Sequence, residues 1–214
     1  MAKPEQTLQC TMPAFNFYRF FLLITALFWA PIGSASERFV PLNEKGMPIP
    51  RPAGHETEWP CVLDRHTGLI WEAKSQKPGL HHRDNTYSWF NPNSEYNGGL
   101  AGQPGGAECY AQPCDTNAFI KVSNKAGWCN AHDWRLPTRE ELRSLVNYTA
   151  VYPGPAMNTV AFPHAIAQFY WSANSDAKNP DEAWGIGFAF GFDYTYYKSN
   201  QVHVRLVREK IHTD

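Results

Sequence analysis

The stretch DWRLPTREEL, Asp133–Leu142, decides how the chain is read. Thr138 and Glu141 form a T-x-x-E capping box, in which the threonine oxygen accepts from the Glu141 main-chain N–H and the glutamate reaches back to the N–H of Thr138. Pro137 bars any earlier helical turn. Leu142, Leu145 and Val146 then place one apolar stripe on a helix. Glu140 and Glu141 resemble a pair of catalytic acids, but the positive end of a helix dipole accounts for both. Trp134 reads as core, and Arg135 as an anchor for a carboxylate or for loop carbonyls. The stretch is therefore expected to turn a corner of the fold, with Trp134, Arg135, Thr138 and Glu141 as its structural residues.

Working outward, DTNAFIKVSNKAG (Asp115–Gly127) predicts a short helix. Asp115 or Thr116 caps its start, Phe119, Val122 and Ala126 share a face, and Gly127 ends it. Lys121 and Lys125 sit toward the end of the helix that favours positive charge. WPCVLDRHTGLIWEAK (Trp59–Lys74) predicts a hairpin with Gly68 in the left-handed position of its turn. A strand is expected over Gln168–Ala173, and two more within Asp181–Glu209. The first of these alternates without a break. Trp184, Ile186, Phe188, Phe190 and Phe192 form a bulky face, while Ala183, Gly185, Gly187, Ala189 and Gly191 leave the backbone open to close approach. The last strand sets Val202, Val204 and Leu206 against His203, Arg205 and Val207. Between the two lies DYTYYKSNQ, read as a tyrosine-rich hairpin tip.

The start of the chain reads as an address. Lys3 and Arg19 precede the uncharged run FFLLITALFWA, Phe20–Ala30, and Gly33 and Ala35 suit a signal peptidase. The apolar run is shorter than the ~20 residues needed to span a bilayer. Cleavage after Ala35 is expected, followed by an extended proline-rich lead-in over residues 36–58, one domain over 59–210 and a tail over 211–214. Loss of Lys3, Arg19 and Glu5 moves the formal charge from -1 to -2. That balance gives no drive toward nucleic acid or anionic membrane. Cys61, Cys109, Cys114 and Cys129 remain, an even number that suits an oxidising compartment. Three pairings are possible. The favoured one is Cys109–Cys114 as a local loop, with Cys61–Cys129 joining distant segments. Zinc is the rival reading, but it lacks the C-x2-C spacing. Residues 91–114 hold five glycines and three prolines, and predict a long irregular loop stapled at its end.

The order of motifs carries a resemblance. TGLIWEAK, WCNAHDWRLPTREELRSLV, FYWSAN, AWGIGFAFG and VRLVR follow one another between Trp59 and Arg208. This resembles the Lcl C-terminal domain family, a family of unknown function. That family in turn is similar to the C-type-lectin-like fold of the formylglycine-generating sulfatase-modifying enzymes, which share an R-L-P-T-x-x-E-W corner. The resemblance implies an irregular α+β domain with two short helices on short, mostly antiparallel strands and long loops, from a bacterial envelope or secreted protein; the cysteine count adds the two disulfides. The chain departs from both sets of better-known relatives. No cysteine follows Cys129, so the enzymes' copper chemistry does not carry over. The E-P-N, Q-P-D and W-N-D signatures of calcium-dependent lectins are absent. NPDE, with Asn179, Asp181 and Glu182, is a weak calcium candidate.

Three functions follow in order. The first is an exported, non-enzymatic recognition or adhesion module for a glycan or a protein partner at a cell surface. Aromatic residues at 14% favour it. Its candidate ligand residues are Tyr194, Tyr196, Tyr197 and Lys198 at the expected hairpin tip, with Trp89, Phe90 and Tyr96 as a second group. The second is a structural or assembly subunit of a surface appendage or envelope complex. The third is an enzyme with a carboxylate site assembled by folding. No G-x-S-x-G or H-E-x-x-H motif is present, and paired cysteines offer no nucleophile. No cofactor and no catalytic residue is assigned.

Overall fold

The corner at Pro137 sits where two sheets meet. The structure, a computed structural model, describes residues 37–50, 58–110 and 113–209. The expected signal peptide and the tail at 211–214 lie outside the described residues. Seven strands and two helices follow the order β1 (Phe39–Leu42), β2 (Cys61–Asp64), β3 (Leu69–Glu72), α1 (Thr116–Ala126), α2 (Arg139–Arg143), β4 (Phe169–Ser175), β5 (Glu182–Gly187), β6 (Phe192–Tyr197) and β7 (Val207–Glu209). One antiparallel sheet has the order β1-β2-β3-β7, and the other β4-β5-β6. The molecule is an α+β domain with two disulfides, Cys61–Cys129 and Cys109–Cys114. Among the described residues no helix is long and apolar enough to cross a membrane.

Local chemistry explains most boundaries. The β2–β3 turn closes through Gly68, whose φ of 75° is left-handed. Asp115 caps α1 by accepting from Ala118 N at 2.8 Å, and Gly127 ends it at φ 67°. The buried side of α1 is Thr116, Phe119 and Ser123. Val122, expected on that face, is exposed, while Phe119 is buried and stacks on Tyr87 with ring centres 4.6 Å apart. Both halves of the Thr138–Glu141 capping box form. The helix ends at Arg143, yet Leu142 and Leu145 still fill the core.

Three expectations change. The lead-in is not merely extended, because its residues 39–42 form the edge strand β1, pairing Val40 with Leu63. The alternating run Ala183–Phe192 is two strands and a turn. Gly191 takes φ 80° and donates to Gly187 O at 2.8 Å, so the chain reverses and exposes Phe190 and Phe192. The tyrosines Tyr194, Tyr196 and Tyr197 therefore lie on strand β6 rather than at a hairpin tip. The expected last strand is also interrupted. Residues 202–206 cross between the sheets, with Val202 bonded to Tyr87, His203 bridged to Tyr170 of β4, and Leu206 bonded to Glu72 of β3. Both of its sides are covered, which is why Arg205 and Val207 are as buried as Val204 and Leu206.

The sequence motifs meet in this crossing. Arg135 and Val207 exchange main-chain hydrogen bonds at 3.0 and 2.9 Å. Arg208 donates to Asp133 at 2.6 Å. Arg135 grips Glu141 with two bonds of 2.7 Å, so the capping glutamate also receives a guanidinium. Behind them Glu72, fully buried, binds His81 Nδ1 at 2.7 Å, Lys74 Nζ at 2.8 Å and the Leu206 N–H at 2.9 Å. Arg205 donates to Glu72 main-chain O at 2.5 Å.

This centre sets the pH response. Burial alone would raise the Glu72 carboxyl, but Lys74 and His81 overcome it and hold it at about 2. Burial also lowers His81, against the pull of Glu72. Both groups have folded-state values below their unfolded ones, so the unfolded chain takes up protons first on acidification. Stability is expected to be complete near neutral pH, to fall as pH drops through the histidine range, and to fall further below about 4.5, the ordinary glutamate value. Thermal melts from pH 8 to 3 check this, and a melting temperature flat from 7 to 4 would refute it.

Candidate functional site

A cleft of about 620 Å³ opens beside the corner. Four segments distant in sequence build it. Phe90, Ile120 and Leu136 supply apolar surface from the start of the long loop, from α1 and from the corner. Asn91, Asn117 and Asn174 bring side-chain amides to its walls, and Ala173 to Ser175 of β4 complete one side. Glu95 and Tyr96 stand on the loop side, with Tyr96 66% exposed. The polar groups at the corner are already engaged. Thr138 and Arg135 both bond Glu141, and Asn174 Oδ1 accepts from the Arg139 N–H at 2.8 Å. Glu95 and Arg135 are the charged side chains on the lining.

The long loop is pinned behind Tyr96. Asn97 is buried; its side chain donates to Asn91 O at 3.2 Å and accepts from Gly99 N at 2.9 Å. Gly98 lies so close to β4 that a Cβ there would sit 2.5 Å from Ser175 Oγ. Gly102 bridges Phe90, where a Cβ would meet Trp89 O at 2.1 Å. Both glycines have left-handed backbones, and a side chain at either would push the loop off the strand.

The candidate ligand residues are distributed differently from the sequence reading. Tyr96 and Phe90 both line the cleft. Trp89 is fully buried and donates to Ser172 O at 2.9 Å, so no ligand reaches it. Lys198 is also interior, 2% exposed, and its Nζ donates to Asn97 O at 2.8 Å, Leu100 O at 2.6 Å and Pro180 O at 2.6 Å. Burial pulls its ammonium down to about 8 against the opposing Asp181 carboxylate. Tyr194 and Tyr196 line a separate, smaller groove of about 260 Å³ beside Gln168, Gln201 and His203. Each ring centre lies 4.5 Å from that of Phe169. The open glycine face of β5 is filled by these same aromatics, since a Cβ on Gly185 would meet Phe169 at 2.6 Å and one on Gly187 would meet Tyr194 at 3.0 Å. Tyr197 points to the other face of β6 and is exposed.

The packing on Phe169 gives the tyrosines a structural share. Aromatic pairs contribute about 0.5–1.5 kcal/mol each, so Tyr194→Ala with Tyr196→Ala is expected to destabilise the domain by about 1–3 kcal/mol. Urea unfolding measures this, and an unchanged midpoint would contradict the packing argument.

Among NPDE, Asn179 donates to Asp176 at 3.3 Å, Glu182 accepts from the Thr195 hydroxyl, and Asp181 main-chain O receives Lys198 N at 2.8 Å. The Asn179 bond lies within the turn, and the Glu182 bond ties β5 to β6. Among the described residues no group of three or more His, Cys, Asp or Glu is placed to hold a metal ion. The sequence reading missed Ile120, Asn117, Leu136 and Asn174. Ile120, an apolar residue outside the assigned core face of α1, is the signal it contained.

The fold and cleft define a disulfide-bonded α+β domain with an aromatic-rimmed, amide-walled concavity. The model of the Lcl C-terminal domain matches residues 60–208, and the chain belongs to that family. No curated protein and no solved structure matches it. The family and the two disulfides point to a secreted or surface domain.

Proposed function

We propose that this is a non-enzymatic recognition module of C-type-lectin-like fold, exported by its N-terminal signal, that binds a glycan in the cleft beneath Tyr96. The observation that supports it is the cleft's composition. An exposed tyrosine shares the lining with the apolar side chains of Phe90, Ile120 and Leu136 and with three asparagines. A sugar presents a C–H face that stacks on a ring and hydroxyls that pair with amides. The R-L-P-T corner and the long loops on one side support the fold reading.

A glycan array that includes sulfated polymers, probed with and without a chelator, tests the proposal. Tyr96→Ala is expected to weaken binding about threefold to tenfold, the worth of one aromatic contact. Its melting temperature should stay unchanged, because the ring is exposed. Equal binding by the variant, or no binding to any glycan by the parent, would sink this reading.

A specific surface favours the assembly-subunit reading as the alternative. Residues 144–175 and 183–192 contain no Asp, Glu, Lys or Arg. From them Tyr148, Val151, Tyr152, Phe190 and Phe192 stand exposed, with Tyr152 stacked on Phe190 at 4.9 Å. Aromatic enrichment with charge depletion marks the centre of protein interfaces.

A further inference from the structure

Three main-chain carbonyls from two separate loops converge on one point behind the cleft. Asn97 O and Leu100 O come from the long loop, and Pro180 O from the 179–182 turn. Convergent carbonyl oxygens with no N–H among them build a site for a cation, and calcium sites are commonly made this way. Here the point is held by Lys198 Nζ, at 2.6–2.8 Å from all three. An ammonium has three N–H donors and no acceptor, so each proton meets one oxygen. The Trp89 ring closes the remaining side, 4.4 Å from Nζ, where its electron-rich face attracts positive charge. Main-chain bonds fix the lysine itself, since Lys198 O accepts from Trp89 N and Lys198 N donates to Asp181 O, each at 2.8 Å.

We propose that Lys198 is an internal, covalently tethered cation that does for the ligand loop what a bound metal ion would do. Lys198 is therefore a positioning residue. It touches no ligand, and it acts through Asn97 and Leu100 on the segment that carries Tyr96. This deepens the recognition reading and rests on it for the ligand, although the loop's dependence on the ammonium stands by itself. The chemistry has two consequences. Loop order is independent of divalent metal. And the cage, once emptied, accepts a free alkylammonium ion of matching length, whereas a lysine that mattered only through the packing of its chain would not be replaced in this charge-dependent way. Preorganising the loop removes an ordering cost that the ligand would otherwise meet on binding.

Lys198→Ala deletes three carbons and the nitrogen, which is n-propylammonium. Amide hydrogen exchange of residues 96–102 is read for the parent and the variant, with n-propylammonium, n-propanol as an uncharged control of the same length, or a chelator added. The parent is expected to ignore the chelator. In the variant these amides should exchange at least ~10-fold faster while the β2–β3 hairpin keeps its protection, as for local opening. Propylammonium should restore protection and propanol should not. Exchange that is unchanged in the variant, or restored equally by propanol, overturns the proposal. If Lys198→Ala fails to fold, Lys198→Met matches the chain as far as Cε and removes the ammonium; loop exchange as slow as the parent's in that variant also overturns it. The same samples go on the glycan array. Restored loop exchange with no glycan bound by the parent removes the recognition reading and leaves the tethered cation standing. Glycan binding with unmoved loop exchange does the reverse.

Discussion

Glu72→Gln is expected to destabilise the domain by about 3–5 kcal/mol, the usual result of breaking a buried ion pair from one side. Glu72 is the anion against which Lys74 sits at 2.8 Å, and its main chain receives Arg205. A neutral glutamine keeps the volume and leaves both cations in the interior without a compensating charge. The pair itself is weak evidence of net stabilisation, since burying it was costly. The effect comes from removing one member. Glu140→Gln is the internal control. Glu140 lies 3.2 Å from Arg139 with its side chain 69% exposed, and surface pairs contribute about 0–1 kcal/mol. Urea unfolding at neutral pH reads both. A loss below about 1 kcal/mol for Glu72→Gln would mean that solvent reaches the centre, and the burial argument would fail.

Replacing Cys61 and Cys129 together by serine is expected to cost about 4 kcal/mol. The two residues are 68 apart in sequence, and both are buried in one core cluster with Trp89, Trp134 and Trp171. Cross-linking so distant a pair restricts the unfolded chain strongly. Cys129 and Asn130 also hold left-handed backbones, and Gly46 packs against Cys129 O where a Cβ would sit 3.0 Å away. The Cys109–Cys114 bridge closes a loop of separation 5, so its loss should cost less, about 2 kcal/mol in the same loop-entropy treatment. Denaturant curves for the two double-serine proteins make the comparison. Equal losses would refute the loop-length argument.

What the sequence disclosed follows the range of the interactions. The corner was legible because a capping box is complete within four residues and needs no distant partner. The α1 boundaries were legible for the same reason, through Asp115 and Gly127. The β5–β6 turn was missed because its residues keep the period of two through the reversal. Gly191 was counted as one more small residue on a face, while its left-handed φ of 80° ends the strand. Lys198 was read as an exposed cation because composition gives charge but not depth. Its cage comes from carbonyls at positions 97, 100 and 180, and main-chain oxygens leave no trace in side-chain identity. The cleft was half legible. Phe90 and Tyr96 were singled out as aromatics, but Ile120, Leu136 and Asn174 join them only when the corner folds back.

The order of strands in the larger sheet also bears on how the domain is made. β1 lies at one edge and β7 at the other, with β2 and β3 between them. β3 therefore keeps an open edge until Val207–Glu209 arrives, and Glu72 lacks both Arg205 and the Leu206 N–H until then. A chain that emerges from a ribosome or a translocation channel N-terminus first cannot close this sheet, or complete the hydrogen bonds of Glu72, before almost the last described residue is free.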